Sequence, residues 1–284
     1  MIKIDFKFKK CCIKKILILI LFFININCNS LNSLLKINNN DTFNICFWNI
    51  NLAKSLELTE KLKVSMIMNL SKSCDVISYI GIYNNFNSIS SEIEVQLEKL
   101  REDYICMEGT TKSKIKSPEE KYVTCVKSQL SSDIEKIEFE ELNSSIKNPP
   151  TLFLMNINEK KILIVPYNTN PGNKNDLREF SEVVDFSYKN FSDRRIFFGG
   201  SFYFDQEYQK LDYLYSLPYY LILEKLIDEP STFSNQKANV IFTDPRTSKN
   251  CKGSVIRLES YFSEIKNIEK YFDHFPILAK CRIN

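Results

Sequence analysis

One histidine, His274, and one tryptophan, Trp48, stand in 284 residues, with only six glycines and nine prolines. A single imidazole excludes a zinc centre built from clustered Cys and His, and no Cys-x-x-Cys pair takes its place. A Ser-His-Asp set finds no support, because Asp273 is merely the sequence neighbour of the one His. Glycine is equally uninformative about phosphate loops: Gly199-Gly200 follow an apolar stretch, but no GxGxxG or GKS/T pattern surrounds them. From residue 42 onward there is no charge block, repeat or Gly/Ser tract to mark a second boundary. With 44% hydrophobic and 26% charged residues the chain is globular rather than disordered, and its length fits one large β sandwich.

What is present begins at the N-terminus. Six lysines, Lys3, Lys7, Lys9, Lys10, Lys14 and Lys15, precede an unbroken apolar run from Ile16 to Ile24. A basic segment followed by a short apolar core is the layout of a secretory signal peptide. Nine residues fall well short of the ~20 needed to span a bilayer as a helix, so no membrane span is expected after signal removal. Residues 1–30 are read as the signal, 31–41 as a polar linker and 42–284 as the folded domain. Without the leader the chain holds 32 basic and 34 acidic residues, so its net positive charge of +3 resides in the leader. The near-neutral body gives no sign of the broad basic surface that non-specific nucleic-acid binding uses.

Six cysteines remain after the leader: Cys46, Cys74, Cys106, Cys125, Cys251 and Cys281. An even number in an exported chain predicts up to three disulfides. Cys106–Cys125 is the pair singled out, because the two lie on strands expected to be neighbours; the remaining connectivity stays open. Sequons at Asn40, Asn69, Asn143 and Asn190 are no more numerous than chance gives in so Asn-rich a chain.

The hydrophobic pattern predicts strands at Phe43–Ile50, Asp75–Ile82, Tyr104–Met107, Tyr122–Lys127, Leu152–Asn156, Ile162–Tyr167, Arg195–Phe198, Val240–Phe242, Val255–Leu258 and Phe275–Ala279. Leu58, Leu62, Met66 and Leu70 predict one helix with a buried stripe. Ser91 and Glu94 have the spacing of a capping box ahead of Ile93, Leu97 and Leu100. A third helix starts at Asn175-Asp176 and carries Leu177, Phe180, Val184 and Tyr188 on one face. Many strands with a few amphipathic helices between them suggest sheets covered by helices.

Several local phrases occur in an order that matters. Phe47-Trp48-Asn49-Ile50 is a strand ending in Asn. Ile164-Val165-Pro166-Tyr167-Asn168, Phe197-Phe198-Gly199-Gly200-Ser201-Phe202-Tyr203 and Phe272-Asp273-His274-Phe275-Pro276 follow, with Pro118-Glu119-Glu120-Lys121-Tyr122 earlier. This succession resembles the endonuclease/exonuclease/phosphatase superfamily, and its deoxyribonuclease I branch most closely. The resemblance implies an α+β fold: a four-layer α/β/β/α sandwich of two packed, mostly antiparallel sheets flanked by helices.

The resemblance also implies a phosphodiester-cleaving site, which needs an activated water, a divalent metal and proton donors. Four family positions are retained: Asn49, Glu120, Asp273 and His274. Five are substituted. Gly81 stands where a metal-binding Glu is expected, and Asn168 where a His is expected. Ser201 and Tyr203 in one register, or Gly200 and Phe202 in the other, replace the Asp and Asn of a Gly-Asp-Phe-Asn phrase. Asn239 stands for the Asp that partners the last His. An amide hydrogen-bonds but does not exchange protons near neutral pH, and a glycine holds no cation. Glu120 is read as a surface or structural carboxylate, His274 as a packing residue, Asn49 as a strand-end residue with local hydrogen bonds, and Asp273 as a turn cap.

The leading expectation is a secreted, extracellular, catalytically inactive relative that binds an unknown protein partner, with no metal and no cofactor. DNA or another phosphate ligand remains a candidate for the old cleft, through Asn168, Ser201 and His274. The alternatives are a Mg²⁺- or Ca²⁺-dependent nuclease with a rebuilt site, using Asp205, Glu207 or Glu179, and an extracellular structural or adhesive protein.

Overall fold

Strict alternation in the first strand sets up the layers. In the computed structural model, β1 (Thr42–Leu52) sends Phe43, Ile45 and Phe47 to one face and Cys46, Trp48 and Ile50 to the other. All six are buried, so both faces of this strand are covered. Residues 42–52, 61–83, 89–111, 120–139, 149–169, 174–202 and 223–282 are described. The predicted signal and linker lie outside them. Phe43–Asn284 form one compact unit.

The elements follow in chain order: α1 (Lys61–Ser71), β2 (Val76–Ile82), α2 (Ile89–Lys99), β3 (Tyr104–Thr111) and β4 (Glu120–Lys127). Next come β5 (Glu135–Glu138), β6 (Thr151–Ile157), β7 (Lys160–Asn168), α3 (Lys174–Phe191), β8 (Arg195–Ser201) and β9 (Glu224–Lys225). The chain closes with β10 (Asn239–Thr243), α4 (Pro245–Ser248), β11 (Cys251–Val255), α5 (Leu258–Tyr261) and β12 (Ile277–Arg282). Two six-stranded sheets result, ordered β11-β12-β1-β2-β4-β3 and β5-β6-β7-β8-β10-β9. The pairs β1–β2 and β7–β8 are parallel, and the hairpin-type pairs around them are antiparallel.

Three cores hold four layers together. Between the sheets, Phe43, Ile45 and Phe47 meet Phe153, Ile164 and Phe197. Outside the first sheet, Met66, Ile67 and Leu70 of α1 and Ile93 and Leu97 of α2 cover Trp48, Ile77 and Tyr79. Outside the second, Phe180, Val183 and Val184 of α3 cover Leu163, Val165 and Tyr167. The α/β/β/α sandwich with mostly antiparallel sheets is the expected architecture. Disulfides join Cys46 to Cys74, Cys106 to Cys125 and Cys251 to Cys281. The last two bridge residues directly opposite each other on paired strands. The described residues contain no helix long and apolar enough to cross a membrane.

Four local expectations need correction. The stripe expected through Leu62 is interrupted there, because Leu62 is 44% exposed; Met66 and Leu70 are buried as expected, with Lys63, Val64 and Ile67 beside them. A strict four-residue spacing outruns the 3.6-residue turn by about 40° per step, so such a row winds off the buried face. Leu58 lies outside the described residues. Second, α2 begins at Ile89, placing Ser91 inside the helix. The helix start is held from β3, where Glu108 Oε2 accepts from the Ile89 N–H at 3.0 Å, and Glu94 Oε1 accepts from the Cys106 N–H at 2.6 Å. Third, the strand expected at Val255–Leu258 runs from Cys251 to Val255, and Leu258 opens a helical turn. Fourth, the last strand begins at Ile277, after Pro276, which has no N–H to give a ladder.

Candidate functional site

The C-terminal ends of the two parallel pairs meet at one end of the sandwich. There β1 and β2 lose regular register between Asn49 and Leu52, and β2 and β4 between Tyr79 and Ile82. Such irregularities re-aim side chains at strand ends. Gly81 sits inside this irregular stretch with φ +74°, a left-handed conformation that favours glycine. A Cβ there would overlap the Asn49 Oδ1. The backbone therefore turns at the position where the resemblance implies a carboxylate, and Asn49 fills the space.

Asn49 opens a buried chain of neutral hydrogen bonds that crosses between the sheets. Its Nδ2 donates to Ser201 Oγ at 2.9 Å, and Ser201 Oγ donates to Asn239 Oδ1 at 2.8 Å. The Asn239 amide is oriented without ambiguity: Nδ2 donates to the carbonyls of Ser231 (3.2 Å) and Phe275 (2.9 Å), leaving Oδ1 as the acceptor. Oδ1 also lies 3.0 Å from His274 Nδ1, so the imidazole carries its proton on Nδ1. Asn49, Ser201, Asn239 and His274 are all at most 8% exposed. On the strand side, Trp48 Nε1 donates to the His274 carbonyl at 3.1 Å, and Thr232 bridges to His274 as an isolated β pair.

Burial drives the His274 pKa from its ordinary 6.5 down to about 4; the nearby Asp273 opposes this but does not overcome it. The ring is thus neutral at physiological pH. Because the folded pKa lies below the unfolded one, the unfolded chain binds the extra proton between about pH 6.5 and 4. The stabilising contribution is fully present above 6.5 and fades as pH falls through that window, by ~3 kcal/mol. NMR titration of the single imidazole should give a midpoint near 4. Asn239→Asp, which puts a carboxylate beside Nδ1, should raise it above 6.5. A wild-type midpoint at 6.5 or higher would contradict the neutral chain.

A second set surrounds Glu120 at the start of β4. Its Oε1 accepts from the Gly81 N–H at 3.0 Å and from Asn168 Nδ2 at 2.8 Å. Asn168 Nδ2 also lies 3.3 Å from the Tyr83 hydroxyl. Glu120 is 4% exposed, so it is a buried carboxylate rather than a surface one. Asn168, standing where a His is expected, still receives the Glu120 carboxylate. Asp273 does not cap its own turn: its Oδ2 accepts from Asn51 Nδ2 at 3.0 Å, across the cleft mouth. Asn49 makes the expected local bond, Oδ1 accepting from the Asn51 N–H at 3.1 Å, as well as the longer-range one.

Between these groups lies a cleft of about 350 Å³, with Asn49, Asn168, Asp273 and His274 on its walls. Asn51, Tyr83, Thr169, Thr232, Ser234 and Gln236 complete it, and none of these was singled out from the sequence. Only Asn51 carried a usable signal, as the second Asn at a predicted strand end. Tyr203, Asp205 and Glu207 lie outside the described residues. Glu179 is buried on α3 and does not line the cleft.

The superfamily resemblance implies a Mg²⁺ or Ca²⁺ ion. Among the described residues no three His, Cys, Asp or Glu side chains gather, and the strand end where the resemblance implies the metal carboxylate is Gly81. Of the described carboxylates at the cleft, Glu120 Oε1 accepts from two donors and Asp273 Oδ2 accepts from Asn51 Nδ2. Hard divalent cations want several oxygen ligands with charge among them.

The sequence matches no protein-family model and no curated protein. Solved structures do match. An endonuclease/exonuclease/phosphatase family protein from Leptotrichia buccalis aligns with 14% identity and a TM-score of 0.61, over 85% of this chain and 100% of that one. One from Bacteroides thetaiotaomicron gives 12% and 0.60, over 86% and 98%. The human Nocturnin catalytic domain, solved with a sulfate anion, gives 11% and 0.55, over 84% and 93%. At these identities the likeness is one of fold: the chain is a sandwich of the endonuclease/exonuclease/phosphatase type.

Proposed function

We propose that the chain is a secreted, non-catalytic protein that uses a nuclease-type sandwich as a binding scaffold. One observation carries this reading. The strand end that would seat a metal carboxylate is Gly81 in a left-handed turn, with Asn49 packed into the space a side chain would need. The rest of the site agrees. Neutral amides and a hydroxyl link Asn49, Ser201, Asn239 and His274, and Asn168 offers no proton to a leaving group. Secretion is supported by the basic, then apolar, N-terminal pattern and by three disulfides in the folded unit.

Loss of one general acid or base typically lowers a rate ~10²–10⁴-fold, and groups that act as a unit fail together. The purified protein, incubated with supercoiled DNA, Mg²⁺ and Ca²⁺, is therefore expected to nick no faster than its His274→Ala variant. Nicking by the native protein that disappears in His274→Ala would overturn the reading in favour of a metal-dependent nuclease with a rebuilt site.

A further inference from the structure

The walls of the cleft are polar but carry no described cation. Its rim is exposed amide, hydroxyl and carboxylate: Asn51, Ser234, Gln236 and Asp273. Its floor includes the buried His274, whose Nδ1 proton is held by Asn239 Oδ1. One wall is Tyr83, partly buried, with its hydroxyl beside Asn168 Nδ2. Lys63 approaches from α1, but its ammonium lies 3.4 Å from the Asn51 carbonyl and 5.6 Å from the Phe272 ring.

This set of groups discriminates between ligand classes. A phosphodiester would bring its negative charge beside the Asp273 carboxylate, with no Lys or Arg among the described lining residues to offset it. A sugar presents hydroxyls that both donate and accept, with an apolar C–H face between them. Amides match it because each offers donors and an acceptor, a carboxylate accepts, and an aromatic ring takes the apolar face. The volume of about 350 Å³ lies at the small-ligand end of known pockets, roughly 300–1,000 Å³. Resting on the non-catalytic reading above, we propose that the cleft binds a neutral saccharide rather than a phosphate ester.

The turn between β9 and β10 contributes Thr232, Ser234 and Gln236 to the cleft. The Ser231 N–H donates to the Gln236 carbonyl at 2.8 Å, and Thr232 Oγ1 accepts from the Gln236 N–H at 2.9 Å. Asn235 takes a left-handed conformation at φ 62° within it. Thr232 Oγ1 lies 3.0 Å from Ser234 Oγ. The turn thereby holds Ser234 and Gln236 on the rim, and the Phe233 N–H, donating to the Asp273 carbonyl at 3.3 Å, ties it to the neighbouring segment.

Saturation-transfer NMR on the mature, disulfide-bonded protein tests this. The probes are short oligomers of glucose, galactose, mannose and N-acetylglucosamine, with inorganic phosphate followed by ³¹P line width and a thymidine oligonucleotide as the anionic arms. At least one sugar should receive saturation, and its Kd should weaken about tenfold in both Gln236→Ala and Tyr83→Ala. Thermal melts of the two variants should match the wild type, which separates a lost contact from a lost fold. Absence of transfer to every sugar, or transfer undiminished in both variants, overturns the proposal. Phosphate or oligonucleotide binding without sugar binding also overturns it, while leaving the non-catalytic reading intact. Cleavage of the oligonucleotide defeats that underlying reading instead.

Discussion

Gly81→Glu, which returns a carboxylate to the end of β2, is expected to destabilise the protein by at least ~4 kcal/mol and to create no nuclease. Three physical terms add. A side chain in a left-handed backbone costs about 1–2 kcal/mol. The new Cβ collides with Asn49 Oδ1, and displacing that amide breaks its bond to Ser201, leaving buried polar groups unmatched at about 1–3 kcal/mol. A carboxylate buried beside Glu120, with like charge, adds desolvation and repulsion. Urea unfolding reads the sum, and Gly81→Ala separates the steric part, for which about half the loss is expected. A stable Gly81→Glu protein that binds Mg²⁺ and nicks DNA would mean that the left-handed turn is not what keeps a metal-binding carboxylate off the end of β2.

Reduction of the disulfides should have the other large effect. The bridges close segments of 28, 19 and 30 residues in sequence separation, and each such link typically contributes ~2–4 kcal/mol. Even with incomplete additivity the total rivals the ~5–15 kcal/mol by which a domain of ordinary stability stays folded. Dithiothreitol is therefore expected to lower Tm by tens of degrees, or to leave the mature protein unfolded at 37 °C. Thiol titration of the denatured mature protein should find none of the six cysteines free before reduction and all six after it. Coincident melts with and without reductant would show that the cores alone suffice, and would remove one of the two supports for export.

These two expectations draw on different depths of the sequence. The sandwich is legible because its phrases keep their order and Phe43–Ile50 is rich in strand-forming residues; that Phe43, Ile45 and Phe47 face one core and Cys46, Trp48 and Ile50 the other is not, because both sets are apolar. Cys106–Cys125 was legible because both lie on clear, adjacent strands. β5, with the sequence Glu-Lys-Ile-Glu, was not, since a short edge strand that buries little shows no period. β9, two residues long, left no trace either. At the site, the absence of a carboxylate at Gly81 was readable, but the left-handed turn that goes with it was not. Asn168 is legible as a replacement, yet its bond to Glu120 depends on β4 and β7 lying in different sheets, which no local pattern reveals. Tyr83, Thr232 and Gln236 leave no signal for the same reason: they lie outside regular strands and are brought together by tertiary placement, not composition.

The Asn49–Ser201–Asn239–His274 chain has a consequence for how the protein would meet a partner. Asn49 belongs to one sheet and Ser201 and Asn239 to the other, so these hydrogen bonds clasp the two halves of the sandwich at the floor of the cleft. Sliding one half past the other would break several sheltered bonds at once. A guest would thus find the recess already shaped, with little ordering entropy left to surrender on docking. Its arrival rate would be governed by diffusion and orientation rather than by an opening motion.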